Sequence, residues 1–482
     1  MRKEILYRRN NVIHQYVSNG YHIVLDVNSG CVHVVDEMTY RAVPFVEEAL
    51  AQNAQGIEEL TAYVAERLDI CAGETAEAST LWEVIEEILE LKEAGMLYTE
   101  DIYERYIGEF KNRETVVKAL CLHIAHDCNL ACKYCFAEEG EYHGRKALMS
   151  FEVGKKALDF LVASSGNRVN LEVDFFGGEP LLNWQVVKDL VAYGRSLEEP
   201  HHKKFRFTLT TNGVLLNDEI LEFANKEMAN IVLSIDGRQK IHDLMRPHRG
   251  GQGSYDEVVP KYKKVAESRK QMNYYVRGTF TRNNLDFAED VKHLADEGFE
   301  QISVEPVVAA DTEEYALREE DLPVILSEYD KLALEYIRRK KEGKGFNFFH
   351  FMIDLEGGPC VAKRLSGCGS GTEYLAVTPW GDFYPCHQFV GQEQFLMGNV
   401  DKGIVRTDIR DTFKTCNVYA KEKCRDCFAK FYCSGGCAAN AYNFSGSING
   451  AYDLGCELQR KRVECAIMIK AALADEEKEK AL

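Results

Sequence analysis

Three cysteines stand in one short run, Cys128-Asn-Leu-Ala-Cys132-Lys-Tyr134-Cys135, at C-x3-C-x2-C spacing. Thiolates are soft ligands, suited to iron–sulfur clusters and to zinc. Three of them are one short of the four that a [4Fe-4S] cube usually takes. The fourth iron of such a cube is open to a small molecule, which can react there. A larger set of thiols lies far downstream. Cys368 is followed by twelve residues, Gly381, four residues and Cys386; later come Cys424-x2-Cys427-x5-Cys433-x3-Cys437 and then Cys456. C-x2-C pairs also build tetrahedral zinc sites, so zinc is the physical alternative for this set. Of the sixteen cysteines none lies between Cys135 and Cys360, and ten fall between Cys360 and Cys465. Such clustering argues for metal ligands over a disulfide framework, which is rare in a large cytoplasmic chain.

The elements that must position these thiols are legible as patterns. From about 117 to 310, apolar strand-like runs at Val117–His123, Leu171–Phe176, Phe205–Thr210, Ile231–Ile235, Tyr274–Phe280 and Ile302–Val307 alternate with amphipathic stretches such as Phe151–Ala163, Trp184–Tyr193 and Asp286–Asp296. That alternation is a βαβ repeat and implies a parallel α/β sheet, either open or a partial (β/α)6 barrel. The triplet follows the first strand, at the end where barrel active sites sit. Residues 1–105 read as a small separate domain. Its hairpin, Tyr21–Asp26 and Cys31–Val35 around Asn28-Ser29-Gly30, and its helices, Ile57–Leu68 and one capped by Ser79 or Thr80 and stopped by Gly95, suit a winged-helix unit. Residues 106–345 hold the repeat and end in a charged helix over 318–345. The remainder, 346–482, is expected to be loop-rich, ordered by its metal clusters, with a frayed helical tail.

Composition excludes several classes. The net charge of −19 argues against a nucleic-acid binder, which needs clustered Lys and Arg. No apolar run of 18 residues suggests a membrane span. The N-terminus is basic but lacks the apolar core of a signal peptide, so the protein is expected to be cytoplasmic.

The triplet, with an aromatic before its last cysteine, resembles the signature of the radical S-adenosylmethionine (SAM) enzymes. Gly177-Gly178-Glu179-Pro180, just after the second strand, resembles that family's GGEP motif. The resemblance implies a [4Fe-4S] cluster on Cys128, Cys132 and Cys135 that binds SAM. It also implies SAM contacts from Tyr134, Gly177, Gly178 and Glu179, and candidate carboxylate contacts from Ser234 and Arg277 on successive strands. The downstream thiols are similar to the SPASM extension of radical SAM peptide-modifying enzymes. By that resemblance Cys368, Cys386 and Cys437 hold one auxiliary [4Fe-4S] cluster, and Cys424, Cys427, Cys433 and Cys456 hold another. The fourth ligand of the first is Cys360 or a substrate thiolate. Cys416 and Cys465 fit no place in the pattern and are expected to be packing residues.

His387 follows Cys386 where sulfatase-maturing relatives carry an acid, which weakens a formylglycine-forming reading. The blocks Pro385-Cys386-His387-Gln388-Phe389 and Phe431-Tyr432-Cys433-Ser434-Gly435-Gly436-Cys437 resemble maturases of SCIFF peptides (six cysteines in forty-five residues). These join a cysteine sulfur to a carbon of a nearby residue as a thioether. The expected partners are a cysteine-rich precursor peptide, whose leader docks on the winged-helix unit, and an electron donor such as ferredoxin or flavodoxin. The alternatives are a radical SAM enzyme that makes C–C links or oxidises one residue, and a non-catalytic zinc-bound peptide carrier.

Overall fold

The computed structural model describes residues 12–70, 76–110, 112–142, 144–355 and 361–481. Cys71 and Cys360 therefore lie outside the described residues.

The N-terminal segment begins with a three-stranded antiparallel sheet, β1 (Ile13–Ser18), β2 (Tyr21–Asp26) and β3 (Val32–Val35), in the order β1-β2-β3. The expected hairpin is β2–β3; β1 was not expected. Strand alternation lets β2 serve two cores. Val24 joins a local cluster with Val43, Val46, Leu60, Val64, Leu81, Ile85 and Ile88, whereas Ile23 and Leu25 join the main core. Helices Glu37–Ala51, Ile57–Leu68 and Ala76–Glu93 cover the local core. The third helix begins before the expected caps. Ala76 and Glu77 propagate it, and Thr80 lies inside, its hydroxyl donating to Ala76 O at 3.0 Å.

The main sheet runs β11-β10-β9-β8-β7-β6-β4-β12-β13-β14-β15, with β5 (Ala147–Leu148) paired to β4. Its strands are β4 (Ala119–His126), β6 (Asn170–Gly177), β7 (Lys204–Thr211), β8 (Met228–Ser234), β9 (Tyr274–Phe280), β10 (Gln301–Pro306), β11 (Asn347–Phe348), β12 (Tyr374–Val377), β13 (Asp382–Tyr384), β14 (Gly398–Asn399) and β15 (Gly403–Ile404). From β11 to β12 all neighbours are parallel. The six expected strands are β4 and β6 to β10. Helices Phe151–Ser164, Trp184–His201, Asp218–Glu227, Tyr255–Ser268 and Phe287–Asp296 cross between strands. Every residue of β4 is buried, as a parallel strand covered on both faces must be. The sheet continues into the cysteine-rich region, because β12 extends it from β4 and β13 turns back antiparallel.

The C-terminal region is not merely loops and a frayed tail. Helix Asp453–Ala481 lies along helix Leu322–Lys341, burying Leu458, Val463, Ala466 and Ile467. Arg462 Nε donates to Tyr329 OH at 2.8 Å, and Lys461 pairs with Asp330. The mixed charges along its outer face hid this apolar stripe.

The first and last parts of the chain also meet. His14 stacks on Phe428 with ring centroids 3.4 Å apart, and Tyr16 OH donates to Glu464 O at 2.9 Å. Asp101 accepts from Tyr419 OH with both oxygens and from Lys430 Nζ at 2.8 Å. Burial pushes the Asp101 carboxyl up, but the hydrogen bonds from Lys430 and Tyr419 and the Lys430 charge outweigh it, so its pKa is lowered. A carboxyl lowered on folding contributes stability above its unfolded value and loses it as pH falls through the folded value. Asp101→Asn should cost about 3 kcal/mol, because it leaves the Lys430 ammonium buried. It should also flatten the acid limb of the stability curve, measured by denaturant titration from neutral pH downward.

Candidate functional site

The triplet loop leaves the C-terminal end of β4 and is clamped along its length. Ala131 N donates to Pro247 O and Lys133 N to Met245 O, each at 2.9 Å. Arg249 Nε donates to Cys128 O at 2.8 Å, and Asn212 Nδ2 reaches Cys128 Sγ at 3.6 Å. Burial, then Glu179 and the neighbouring thiols, push Cys128 up to about 12. Burial likewise raises Cys132 to about 11, with the Arg246 guanidinium opposing. Cys135 N donates to Cys132 O at 3.1 Å, so the last two cysteines of the triplet share one turn, and both thiols add to the rise at Cys128. Buried thiols that raise one another stay protonated unless a cationic group draws the protons off, as a metal centre does. No three His, Cys, Asp or Glu side chains among the described residues converge on a single ion-sized point.

Two glycines hold this loop against β6. Gly178 N donates to Ala125 O at 2.8 Å, and Glu179 N donates to Asp127 O at 2.9 Å. A Cβ on Gly178 would lie 2.1 Å from Asp127 O, and one on Gly177, whose φ is +122°, would lie 2.3 Å from Ala125 O. The room these glycines leave is filled by the backbone of residues 125–127. Glu179 is fully buried. Its Oε1 accepts from Leu181 N and Thr211 Oγ1, its Oε2 from Asn212 N at 2.8 Å. Burial raises its pKa to about 6 against these hydrogen bonds. One acceptor position remains on Oε2.

Tyr134 is anchored by protein groups. Its hydroxyl donates to Asp236 at 2.7 Å and accepts from Arg246 Nη1 at 2.7 Å. Sequence reasoning missed this Asp236–Arg246 pair, although Asp236 follows the end of a strand. Ser234 and Arg277 are register partners on β8 and β9, side by side as expected. Glu305, which was not singled out, lies 4.0 Å from Arg277, 4.0 Å from Arg462 and 3.3 Å from His350. Burial raises its carboxyl, but His350, Arg462 and Arg277 hold it well below the usual range. The signal available was a strand-end Glu-Pro, repeated at Glu179-Pro180 and Glu305-Pro306.

A cavity of about 380 Å³ opens between Arg277 in the middle of β9, Glu305 near the end of β10, and Cys424, Cys427, Cys433 and Cys456. It gathers the second expected set of four, with Cys437 on the same wall. Cys424 is pushed up to about 12, first by burial and then by Cys433. Cys386 is raised by burial, then by Cys437 and Cys368. His387 packs against Phe136, next to Cys135, and Phe176, next to Gly177, with ring centroids 5.6 and 5.1 Å away. His387 thus ties the Cys386 turn to the residue after Cys135 and to the end of β6. His123 and His126, also missed, form a buried pair with ring nitrogens 3.0 Å apart. Two histidines in an otherwise apolar buried strand were the available signal.

Residues 122–291 match the model of the Radical SAM superfamily. The chain is 22% identical over 398 residues to the radical SAM cyclopropyl synthase TigE of Paramaledivibacter caminithermalis, covering 75% of this chain and 77% of that protein. It is 21% identical over 334 residues to the cysteine-type anaerobic sulfatase-maturating enzyme of Clostridium novyi, covering 65% and 86%. The solved structure of native anSMEcpe with bound AdoMet superposes with a TM-score of 0.62 at 20% identity, over 74% of this chain and 99% of that one. The architecture is accordingly the radical SAM α/β fold, whose family implies a SAM-binding [4Fe-4S] cluster and SAM. Among the described residues no helix is long and apolar enough to cross a membrane.

Gly178→Ala should prevent the β4 exit from seating on β6. Iron bound after anaerobic reconstitution is expected to fall by about four per chain, the content of one cube, while circular dichroism stays near wild type.

Proposed function

We propose that this chain, with its radical SAM domain at 122–291, forms thioether crosslinks in a ribosomally made, cysteine-rich peptide. The observation that supports the reading is a pair of contacts between the cysteine-rich region and the rest of the site: His387, next to Cys386, packs on Phe136 and Phe176, and Cys424, Cys427, Cys433 and Cys456 line a cavity with Arg277 and Glu305. When bound, the reduced cluster and SAM supply a 5′-deoxyadenosyl radical able to take hydrogen from an unactivated C–H bond. Cys128, Cys132 and Cys135 would hold that cluster. The spare acceptor position on Glu179 suits the SAM ammonium, and Ser234 and Arg277 suit its carboxylate. Cys368, Cys386 and Cys437, and Cys424, Cys427, Cys433 and Cys456, would hold two auxiliary clusters. Joining sulfur to carbon removes two hydrogens, one as an atom and one as a proton with an electron. A ferredoxin or flavodoxin is the expected source of the priming electron.

The leader would dock on the N-terminal sheet. Among the described pairings β1 pairs with β2 and β3 pairs with β2, so β3 is a sheet edge. The β1 side is occupied by helix Asp453–Ala481. Val34 on β3 is 47% exposed. An extended peptide added to β3 would gain main-chain hydrogen bonds there.

Mass spectrometry of the peptide product tests the chemistry. A thioether removes two hydrogens per link and blocks alkylation of the linked thiol, whereas a C–C link leaves every thiol alkylatable. About twelve irons per chain are expected for three cubes; zinc without sulfide would support a carrier instead. Cys132→Ala should abolish deoxyadenosine formation, and retained SAM cleavage in that variant would sink the assignment. Val34→Pro should weaken binding of labelled precursor at least tenfold, read by fluorescence anisotropy, with peptide-independent SAM cleavage unchanged.

A further inference from the structure

We infer that Arg246 tunes the triplet cluster: its fixed guanidinium offers an N–H to the Cys132 side of the cluster and raises the reduction potential. This rests on the reading that Cys128, Cys132 and Cys135 hold a [4Fe-4S] cube, and it names the group of this chain that sets how readily that cube is reduced.

The placement follows from backbone pairing. Ala131 N donates to Pro247 O and Lys133 N to Met245 O, and Leu130 and His248 form an antiparallel bridge. In that register Cys132 stands directly opposite Arg246. The two lie between hydrogen-bonded pairs, and an antiparallel pair of this kind brings its side chains closest. The segment that carries Arg246 is pinned in turn. Arg246 N donates to His242 O at 2.7 Å, and Arg246 O accepts from Ser254 Oγ at 2.7 Å. Three residues on, Arg249 Nε donates to Cys128 O.

The guanidinium is buried, and its protein partners leave one donor over. Arg246 is 9% exposed. Its Nη1 donates to Tyr134 OH at 2.7 Å and lies 3.7 Å from Asp236 Oδ1. The Asp236 carboxylate also accepts from Tyr134 OH and from Thr279 N. Arg246 Nε is buried and has no hydrogen-bond partner among the described residues. A buried N–H without an acceptor carries the full cost of its desolvation. Cys132, the residue opposite, supplies a sulfur that can accept. An N–H given to a cluster sulfur favours the more negative, reduced state, which is one of the levers a protein has on such a potential. Arginine suits this role because it keeps its proton when buried.

The test is a redox titration of the anaerobically reconstituted full-length enzyme, followed by EPR. The triplet cluster is the component whose signal changes when SAM is added. In Arg246→Gln the ratio of reduced to oxidised triplet cluster at a fixed potential should fall about tenfold, which is about 59 mV for one electron. Asp236→Asn removes the opposing charge and keeps the guanidinium, so there the ratio should rise. A general loosening of the loop would move both variants the same way. Arg246→Lys keeps the charge without the Nε donor and should fall between wild type and Arg246→Gln. An unchanged potential in Arg246→Gln, or shifts of one sign in Arg246→Gln and Asp236→Asn, would overturn the inference. Should Arg246→Gln fail to hold the triplet iron, Asp236→Asn decides alone: a rise supports the inference, and no change or a fall overturns it. A wild type with no SAM-responsive signal would instead overturn the triplet-cluster reading and this inference with it.

Discussion

The contact between Gly177-Gly178 and the backbone of residues 125–127 is the constraint on which the site depends. Two carbonyl oxygens, of Ala125 and Asp127, occupy the space that side chains would need. The resulting hydrogen bonds join the end of β6 to the point where the triplet loop leaves β4. Glu179, the next residue, then reaches Thr211 and Asn212 at the end of β7, and Asn212 returns to Cys128. Three strand ends and one sulfur are thereby held through a single point of close approach.

Around this point the protein buries charge, and each instance has a stated compensation. Asp236 is paired with Arg246 and hydrogen-bonded by Tyr134. Glu305 is surrounded by Arg277, Arg462 and His350. The thiols differ, because burial and mutual repulsion raise them even where Arg246 opposes at Cys132 and Lys421 at Cys424. A site built in this way binds a cationic inorganic group more readily than it tolerates bare thiolates, since ionisation and metal ligation are coupled.

The N-terminal sheet is not an appended bead. One face of β2 builds a local core and the other enters the main core, while β1 lies against the last helix. The Asp101 bridge ends on Lys430, whose side chain also lines the cavity of Cys424, Cys427 and Cys433. A peptide on β3 would therefore sit on a segment fastened to the thiol-bearing turns.

Spacing alone determined much of this protein. The six strands of the repeat, the β2–β3 hairpin and helix Ile57–Leu68 follow from period and interval, which are local properties, whereas the grouping of Cys424, Cys427, Cys433 and Cys456 is what the resemblance to the SPASM extension implies. The strand β1, the true start of helix Ala76–Glu93 and helix Asp453–Ala481 were hidden, because partners distant in the chain supply their packing. Only the tertiary structure decided that Tyr134 is held by Asp236 and Arg246, that Gly177 and Gly178 make room for backbone, and that Cys416 stands by Cys368 across 47 residues of intervening chain. Motif spacing records which groups are near in sequence. A buried charge or thiol is defined by what surrounds it in space, and that is set only when the sheet brings its strand ends together.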